Sequence, residues 1–500
     1  MTLPLDGPPS TLMPLIARAD EGVALVEPGR NDAVTYAELQ EAVARLAHEL
    51  AGHGVGAGDA VALALANGPE IVLAFLAVVA AGAAAAPLNP AYTKDEFHSY
   101  LEDLKPRAML FHGEAGAAAR DVCDELGIAV LDLSRGPARE LSVGGRPGSS
   151  PTPDPDAVAL LLHTSGTTSK PKVVPLRQRN LAHSIRNIAA HYELGPEDVS
   201  LSVMPLFHVH GLLASTLATL HSGGTVVTRS RFSPRAFWDD AVGQRATWYS
   251  AVPTIHQMLV ARTESEPPPA HGLRFARSCS APLPPVLQAA VEDAFGIPLL
   301  EAYGMTEASH QMCSNPLPPR ERRPGSVGPA TGVEAAVLDD DWRPLPPGEV
   351  GEVSVRGRSV IDGYRDNPAA NEASFRDGWF RTGDSGTMSA DGYVSLDGRI
   401  KELINRGGEK ISPHEIEAAL LTHPAVSEAV AYAAPDERYG EQVAVAVVLK
   451  SEASTKDLAR HCAGRLAAFK VPASIAVLDA IPKGPTGKVQ RRLLAEQIGR

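Results

Sequence analysis

Short apolar segments alternate with longer segments of helical periodicity along most of this chain. Residues 158–162, 200–204 and 224–227 have the composition of buried strands, whereas residues 181–192 and 284–295 have helical spacing. Strands that alternate with helices are typical of parallel sheets whose connections are helical. The sequence therefore predicts an α/β fold built from layered, largely parallel sheets.

The pattern changes twice towards the C-terminus. Between residues 329 and 396, alternating apolar and polar positions between glycines predict a β-rich subdomain. Beyond Arg399 the sequence predicts a helix near 414–421, strands near 426–433 and 442–449, and a helix from Thr455. We expect a large N-terminal domain, residues 1–399, and a small α+β C-terminal domain, residues 400–500.

The charge balance argues against two classes of partner. Lys and Arg number 46 against 59 Asp and Glu, a net charge of −13, so attraction to nucleic acid or an anionic membrane surface is not expected. The most apolar stretch, residues 71–87, is alanine-rich and shorter than the roughly 20 residues that span a bilayer. It predicts a buried helix that leads into a strand.

The cysteines and the first residues indicate a compartment. The four cysteines are far apart, with neither a CxxC pair nor zinc-ligand spacing, so no disulfide or structural metal is expected. The first residues lack a basic segment followed by a long apolar one. Both features predict a cytoplasmic protein.

A segment rich in hydroxyls and lysines follows the predicted strand at 158–162. It reads HTSGTTSKPK, residues 163–172, and differs from the GxxxxGK[ST] pattern of P-loop proteins. Hydroxyl and backbone N–H groups can surround phosphate oxygens, and Lys170 or Lys172 can balance their charge. The segment predicts a polyphosphate-binding loop, although a flexible surface loop rich in Ser and Thr would have the same composition.

A second segment, EAYGMTEASH at 301–310, combines an aromatic ring, a glycine, a hydroxyl and a carboxylate. Tyr303 can stack on a purine, Thr306 can contact a phosphate, and Glu307 can hold Mg²⁺, which prefers oxygen ligands. Alone, this combination is weak evidence for a nucleotide site.

Three later segments can each be explained by an ordinary structural role when it is considered alone. Asp384, in WFRTGDSG, can accept both hydroxyls of a ribose or can simply cap a turn. Arg399 can donate to a ribose, and Lys401 lies where the charge balance changes and a hinge would be placed. Lys488, in PKGPTGK, follows a Pro/Gly turn, where a lysine is usually only solvated.

Together, in this order and spacing, the five segments resemble the adenylate-forming superfamily of acyl-CoA synthetases, nonribosomal adenylation domains and luciferases. The resemblance extends over nearly the whole chain. It implies an N-terminal AMP-binding domain and a C-terminal lid that rotates about Lys401. It also implies two half-reactions: a carboxylate attacks the α-phosphate of MgATP to give an acyl-adenylate and pyrophosphate, and the thiol of coenzyme A then displaces AMP.

The resemblance also implies the roles of single residues. Lys488, Thr306 and Glu307 would be catalytic, with Glu307 also holding the metal and Lys488 bridging carboxylate and α-phosphate oxygens, since two anions must be held together. The nucleotide-binding residues would be Thr164, Ser165, Gly166, Thr167, Thr168, Lys172, Ser280, Ala281, Pro282, Glu301, Ala302, Tyr303, Gly304, Asp384 and Arg399.

Three further segments, PLFHVHGL, RSCSAPL and ASHQM, resemble those of oxalate-CoA ligases. His208, Ser280 and His310 would then present polar groups to a small anionic acid, where a fatty acid would need an apolar tunnel. His210 is a weaker candidate, because on an extended segment it would lie about 7 Å beyond His208. Arg277 can balance a second carboxylate if its side chain points inward.

Two residues depart from the family pattern. Val173 stands in PKVV where the family usually has a glycine, which restricts the backbone and is expected to change loop motion. Pro485 stiffens the approach to Lys488. Neither change removes a catalytic functional group.

The leading hypothesis is a ligase that adenylates oxalate, or else malonate or a similar short acid, and forms the coenzyme A thioester. In an alternative, nitrite or a carboxylate is adenylated and passed to an amine. A third possibility, a nucleotide-binding protein without activity, is disfavoured by the joint presence of Lys488, Glu307 and Asp384. The sequence does not indicate an oligomeric state.

Overall fold

The computed structural model describes residues 11–18, 20–30, 33–135, 141–149, 152–164, 171–263, 265–484, 489 and 491–498. Within these ranges the strands form four larger sheets, and Ser134–Arg135 pairs separately with Leu141–Ser142. Two of the larger sheets are mainly parallel and share one apolar core with the helices between them. This arrangement confirms the predicted α/β class.

The largest sheet is parallel in its centre and antiparallel at both edges. In spatial order its strands are His310–Ser314, Leu299–Met305, Phe275–Ser278, Trp248–Ala251, Val199–Ser202, Thr225–Thr228, Val23–Val26 and Val34–Thr35. The central strands are short and buried on both faces, and this burial includes the polar side chains of Ser250 and Arg277.

The second sheet has the same character, with one antiparallel edge. Its strands are, in order, Lys172–Arg177, Val158–Thr164, Ala84–Pro87, Ala60–Ala64, Ala108–Phe111 and Ala129–Asp132. The predicted helix and strand at 71–87 are confirmed as Pro69–Ala80 and Ala84–Pro87, both buried. In the part of the chain that is described, no helix combines the length and the apolar character needed to cross a bilayer.

Helices cover the two parallel sheets and begin where local chemistry favours a start. Thr35 and Thr93 each form a capping box with a glutamate three residues later. The α-helices of the N-terminal region are Met13–Ile16, Tyr36–Gly52, Pro69–Ala80, Lys94–Leu104, Ala118–Leu126, Gln178–His191, Ala218–Ser222, Phe237–Gly243, Pro253–Thr263, Pro285–Phe295 and Pro368–Ser374.

The β-rich subdomain expected between 329 and 396 is confirmed as a separate antiparallel sheet. Its strands are Glu334–Leu338, Gly351–Arg356, Phe375–Arg376, Trp379–Met388 and Val394–Arg399. After Arg399 the chain makes the 3₁₀ turn Ile400–Glu402 and enters the last sheet.

The C-terminal sheet has its own apolar core, which includes Ile404, Ile416 and Val445. Its strands are Ile404–Arg406, Glu409–Ile411, Val426–Asp436, Gly440–Leu449 and Ser474–Val477, and its helices are Pro413–Leu421, Thr455–Ala463, the 3₁₀ turn Ala468–Lys470 and Arg491–Ile498. A hydrogen bond of 2.7 Å from Gln257 Nε2 to the Ser427 carbonyl links the two regions.

The segment with His208 and His210 is not extended, so that expectation is wrong. His208 lies in a bend, and His210 begins the π-helix His210–Leu217. A Cβ on Gly211 would lie 2.3 Å from the Pro205 carbonyl oxygen, so a glycine lets the helix start directly against the bend. The histidines are therefore separated by a change of backbone direction.

We expect Gly211→Ala to lower the free energy of unfolding by about 1–3 kcal/mol, because the added methyl forces the bend and the π-helix apart. Gly243→Ala is the matched control, since its Cβ would meet no atom within 4 Å. Urea unfolding of both variants tests the prediction. Equal midpoints for the two variants would contradict it.

Candidate active site

One group of candidate residues lies at the carboxyl end of the largest sheet, where ligands bind in open α/β folds. Ser280 follows the strand Phe275–Ser278, and Glu301 to Gly304 lie within Leu299–Met305. Thr306 and Glu307 form the 3₁₀ turn Thr306–Ala308, after which His310 begins the edge strand. The structure thus joins two of the motifs along neighbouring strands.

Two buried histidines form the first polar cluster, together with Ser280 and Ser250. The His210 and His310 rings stack at 5.0 Å between centroids, and both are buried. His210 Nδ1 lies 3.1 Å from Ser280 Oγ, and its Nε2 lies 2.7 Å from Ser250 Oγ. The contact with Ser280 therefore comes from His210, the weaker candidate of the sequence analysis. His208 is half-buried, with its ring 4.6 Å from that of Phe207.

The backbone is unusual where these side chains meet. Ser280, Ser309 and His310 have φ of +72°, +53° and +90°. Non-glycine residues rarely adopt such angles, and they persist only where surrounding contacts hold them. Ser309 Oγ donates to the Ser359 carbonyl at 2.7 Å, which fixes that turn.

Arg277 points inward and is completely buried. Its guanidinium donates to Tyr192 Oη at 2.8 Å, Ser250 Oγ at 3.0 Å and His310 Nε2 at 2.9 Å. It also lies 3.4 Å from His210 Nε2. The arginine therefore contacts the Nε2 atoms of both imidazoles.

A second cluster joins three segments that are far apart in sequence. The Tyr303 hydroxyl donates to Asp384 Oδ2, and Arg399 Nε lies 2.9 Å from Asp384 Oδ1. Arg399 also donates to the Thr382 carbonyl at 2.8 Å. Burial raises the pKa of the Tyr303 hydroxyl well above its ordinary value, so the phenol stays protonated. The ring and the carboxylate are thus fixed side by side.

Glu301 is a buried carboxyl group beside the turn that carries Ala281 and Pro282. Its Oε1 accepts from the Leu283 N–H at 3.2 Å, whereas its Oε2 has no hydrogen-bond partner among the described residues. Burial raises the pKa of Glu301 to about 8, so the group is mostly protonated at neutral pH. Its neighbour Ala302 pairs with Ser314 in the edge strand.

Gly304 is required by the close approach of the edge strand. A Cβ at this position would lie 2.0 Å from the His310 carbonyl oxygen. The tight pairing of Leu299–Met305 with His310–Ser314 therefore depends on a residue without a side chain.

Glu307, Lys172 and Tyr364 form the third cluster. Tyr364 donates to Glu307 Oε1 at 2.9 Å, and Lys172 Nζ lies 4.2 Å from the centre of the Tyr364 ring. Burial lowers the pKa of Lys172, Glu307 raises it, and the nearby Lys401 lowers it further. Among the described residues no three acidic, His or Cys side chains form a metal-binding group. A single carboxylate suits Mg²⁺ that arrives with phosphates and water.

Several predicted residues lie outside the described ranges. They are Ser165, Gly166, Thr167, Thr168, Lys170, Pro485 and Lys488. The first loop is flanked by Thr164 and Lys172, which are paired in antiparallel strands. Val173 is an ordinary buried strand residue, and its carbonyl accepts from Arg365 N–H at 3.0 Å. Near Lys488, Lys483 and Val489 form a β-bridge.

Sequence reasoning missed Tyr192, Ser250 and Tyr364. Each is placed by tertiary packing: Ser250 is opposite Arg277 in adjacent strands, and Tyr192 ends the helix Gln178–His191. None belongs to a motif with characteristic spacing. The signal that could have found Ser250 is a serine within the apolar strand Trp248–Ala251, next to the strand with Arg277.

The raised pKa of Glu301 predicts a pH-dependent stability. Between its ordinary pKa of 4.5 and the folded value of about 8, the native state holds a proton that the unfolded chain releases. The free energy of unfolding contributed by this group therefore falls as pH rises through that window. We expect Glu301→Gln to become more stable than the unsubstituted protein by roughly 2–4 kcal/mol above pH 8, and by little near pH 5.

Urea unfolding at a series of pH values measures this difference. Glutamine keeps an oxygen that can accept from the Leu283 N–H, so the substitution changes ionisation with little change of shape. A difference between the two proteins that does not vary with pH would contradict the prediction.

Comparison with known proteins places this chain in a family. Residues 16–365 match the AMP-binding enzyme family, and residues 415–488 match the AMP-binding enzyme C-terminal domain. Oxalate–CoA ligase from Arabidopsis thaliana is 48% identical over 480 residues, 93% of each chain. Sulfoacetate–CoA ligase from Cupriavidus necator is 40% identical over 476 residues, again 93% of each chain.

The fold comparison agrees. ATP-bound MatB from Rhodopseudomonas palustris has a TM-score of 0.89 and 31% identity, covering 97% of this chain and 98% of that one. The resemblance of the five motifs to the adenylate-forming superfamily is thereby confirmed. The resemblance of the three further segments to oxalate-CoA ligases is confirmed as well. The chain belongs to the family of AMP-binding enzymes.

Proposed function

We propose that this enzyme adenylates oxalate with MgATP and transfers the oxalyl group to coenzyme A. The observation that carries the proposal is the acid side of the site, where His210, His310 and Ser280 meet above the buried Arg277. Hydrogen-bonding groups above a fixed positive charge suit a short acid with a second anionic group. The acids named for the two related ligases, oxalate and sulfoacetate, both have this character.

The nucleotide would occupy the other two clusters. Tyr303 offers a ring face for the purine, while Asp384 and Arg399 offer an acceptor and a donor for the ribose hydroxyls. Glu301, Ala302, Gly304 and the turn Ser280–Pro282 would surround the base. Thr164 and Lys172 flank the loop that would hold the phosphates, and Thr306 would contact them.

The chemistry follows from these positions. Glu307 would hold Mg²⁺, which supplies charge neutralisation at the phosphate oxygens when it is bound. Lys172 and Lys488 would offset the repulsion between the acid and the triphosphate as the carboxylate attacks the α-phosphate and pyrophosphate leaves. The coenzyme A thiol would then displace AMP.

We also propose the domain division at residues 399 and 400, with residues 400–500 acting as a lid that rotates about Lys401. Two observations support this division. The β-rich sheet ends at Arg399, and the sheet that begins at Ile404 has its own apolar core. Lys401 is exposed in the short 3₁₀ turn that connects them.

We place the enzyme in the cytoplasm, with small molecules as its partners. The four cysteines are buried and free, as suits a reducing compartment.

We expect oxalate to give the fastest pyrophosphate release and to require coenzyme A for continued turnover, with malonate or sulfoacetate next. The panel should include acetate, medium-chain acids, cinnamates and nitrite, each with and without coenzyme A. Detection of oxalyl-CoA separates a thioester product from transfer to an amine. A response limited to long-chain acids would contradict the proposed acid site.

Lys488→Ala should reduce adenylation by at least roughly a hundredfold, because removal of one preorganised donor at a developing charge costs about 3–4 kcal/mol. Lys450→Ala is the control, since Lys450 is an exposed lysine of the same C-terminal region. Pyrophosphate release measures the loss, and circular dichroism checks that both variants fold. An active Lys488→Ala enzyme would overturn the assignment.

A further inference from the structure

The contacts of Arg277 fix the direction of each hydrogen bond around it. A guanidinium has five N–H donors and no acceptor, and it stays protonated throughout the working pH range. Every atom that Arg277 contacts at hydrogen-bond distance must therefore accept. Among the described residues its partners are Tyr192, Ser250, His210, His310 and the Cys279 thiol, and none of them is a carboxylate.

The first consequence concerns His310. Its Nε2 accepts from Arg277 Nη2 at 2.9 Å, so this nitrogen carries no proton. A neutral imidazole has one proton, which must then be on Nδ1. Protonation of both nitrogens would bring a second positive charge against the buried guanidinium, which the geometry disfavours.

The second consequence concerns His210 and Ser280. Arg277 Nη1 lies 3.4 Å from His210 Nε2, so this nitrogen must accept and carries no proton. Ser250 Oγ, which accepts from Arg277 at 3.0 Å, then donates its own proton to His210 Nε2 at 2.7 Å. The proton of the neutral His210 ring is then on Nδ1 and is donated to Ser280 Oγ at 3.1 Å. The Ser280 hydroxyl, half-exposed at the site, is left to donate outward.

We propose that Arg277 is a positioning residue that sets both imidazoles in the Nδ1–H form and thereby makes the acid site a set of hydrogen-bond donors. Arg277 acts through His210 and His310 and does not itself contact the acid. Its charge, without a carboxylate partner among the described residues, is offset by the second carboxylate of the bound acid. The substrate part of this inference rests on the proposed function, whereas the proton positions do not.

The proton positions can be read directly by nuclear magnetic resonance. In full-length protein labelled with ¹⁵N at histidine, the ring nitrogens with and without a proton have separate chemical shifts. His210→Gln and His310→Gln assign the two signals. We expect both rings in the Nδ1–H form, and a change of form or a mixture in Arg277→Met. Rings in the Nε2–H form in the unsubstituted protein, or no change in folded Arg277→Met, would overturn the proposal.

A second pair of variants, each of which removes only one hydroxyl group, tests the proposal if Arg277→Met fails to fold. Ser250→Ala removes the 2.7 Å contact to His210 Nε2 and leaves only the 3.4 Å contact from Arg277. It should therefore weaken the preference of the His210 ring for the Nδ1–H form and leave His310 unchanged. Ser202→Ala is matched, because Ser202 is the register partner of Ser250, is also buried, and its hydroxyl has no hydrogen-bond partner among the described residues. It should change neither ring. An equal response of the two variants would overturn the proposal.

Kinetic constants provide a further test, because a residue with only a structural role would not change them selectively. We expect Ser250→Ala to raise the KM for oxalate about tenfold and the KM for ATP less than about twofold. Arg277→Met should lose about thirtyfold in its preference for oxalate over glycolate, which has a hydroxyl in place of the second carboxylate. Arg277→Lys should restore part of this preference. Parallel losses for both acids would overturn the proposal.

The two readouts separate failure of this inference from failure of the proposed function. If the rings have the Nδ1–H form and respond to the variants but oxalate is inactive, the oxalate assignment is wrong and the role of Arg277 in setting the proton positions stands. If oxalate is the substrate but the rings do not respond, the role of Arg277 is wrong.

Discussion

A carboxylate and a triphosphate repel each other in water, and a site that joins them must hold positive charge and N–H groups in place before they arrive. In the proposed binding mode, this requirement accounts for two placements that cost free energy. Arg277 is fully buried, and Lys172 is partly withdrawn from water beside Tyr364. Both placements cost desolvation energy, which only an anionic ligand or a well-formed set of acceptors offsets.

The fold meets this requirement at the carboxyl end of the largest sheet. Parallel strands bring Arg277, Ser280 and Glu301 to one edge although the chain between them forms a helix. The change of direction at the π-helix His210–Leu217 brings a fourth side chain to the same place. The β-rich sheet contributes Asp384 and Arg399, which are paired in adjacent strands and reach Tyr303 through Asp384. The candidate functional side chains thus lie mainly at or near the ends of helices and strands.

The sequence predicted the features that depend on local pattern. Strands such as Val158–Thr164 and the buried helix Pro69–Ala80 follow from apolar runs, and the motif order indicated the family. It did not predict that His210 would contact Ser280, because the backbone between His208 and His210 turns where Gly211 packs against Pro205. That packing is tertiary and leaves no periodicity in the sequence.

The direction of the Arg277 side chain was undetermined for the same reason. Tyr192, Ser250 and the two imidazoles that surround it come from four separate elements. The spacing of charged residues along the chain shows only where a cation lies in the sequence. The register of adjacent strands is needed to show which face of the sheet its side chain occupies.

In the proposed binding mode, the charge of each part of the site complements the part of the substrate that would lie there. Where a neutral purine would lie, burial keeps Glu301 mostly protonated and therefore uncharged. Where phosphates would lie, Lys172 is the nearby cation, and beneath the acid Arg277 is the cation. A buried carboxylate at position 301 would repel the phosphates, whereas a neutral carboxyl can both donate to and accept from a purine edge. Burial thus removes the charge of the carboxyl group at one end of the site, whereas the guanidinium at the other end keeps its charge in spite of burial.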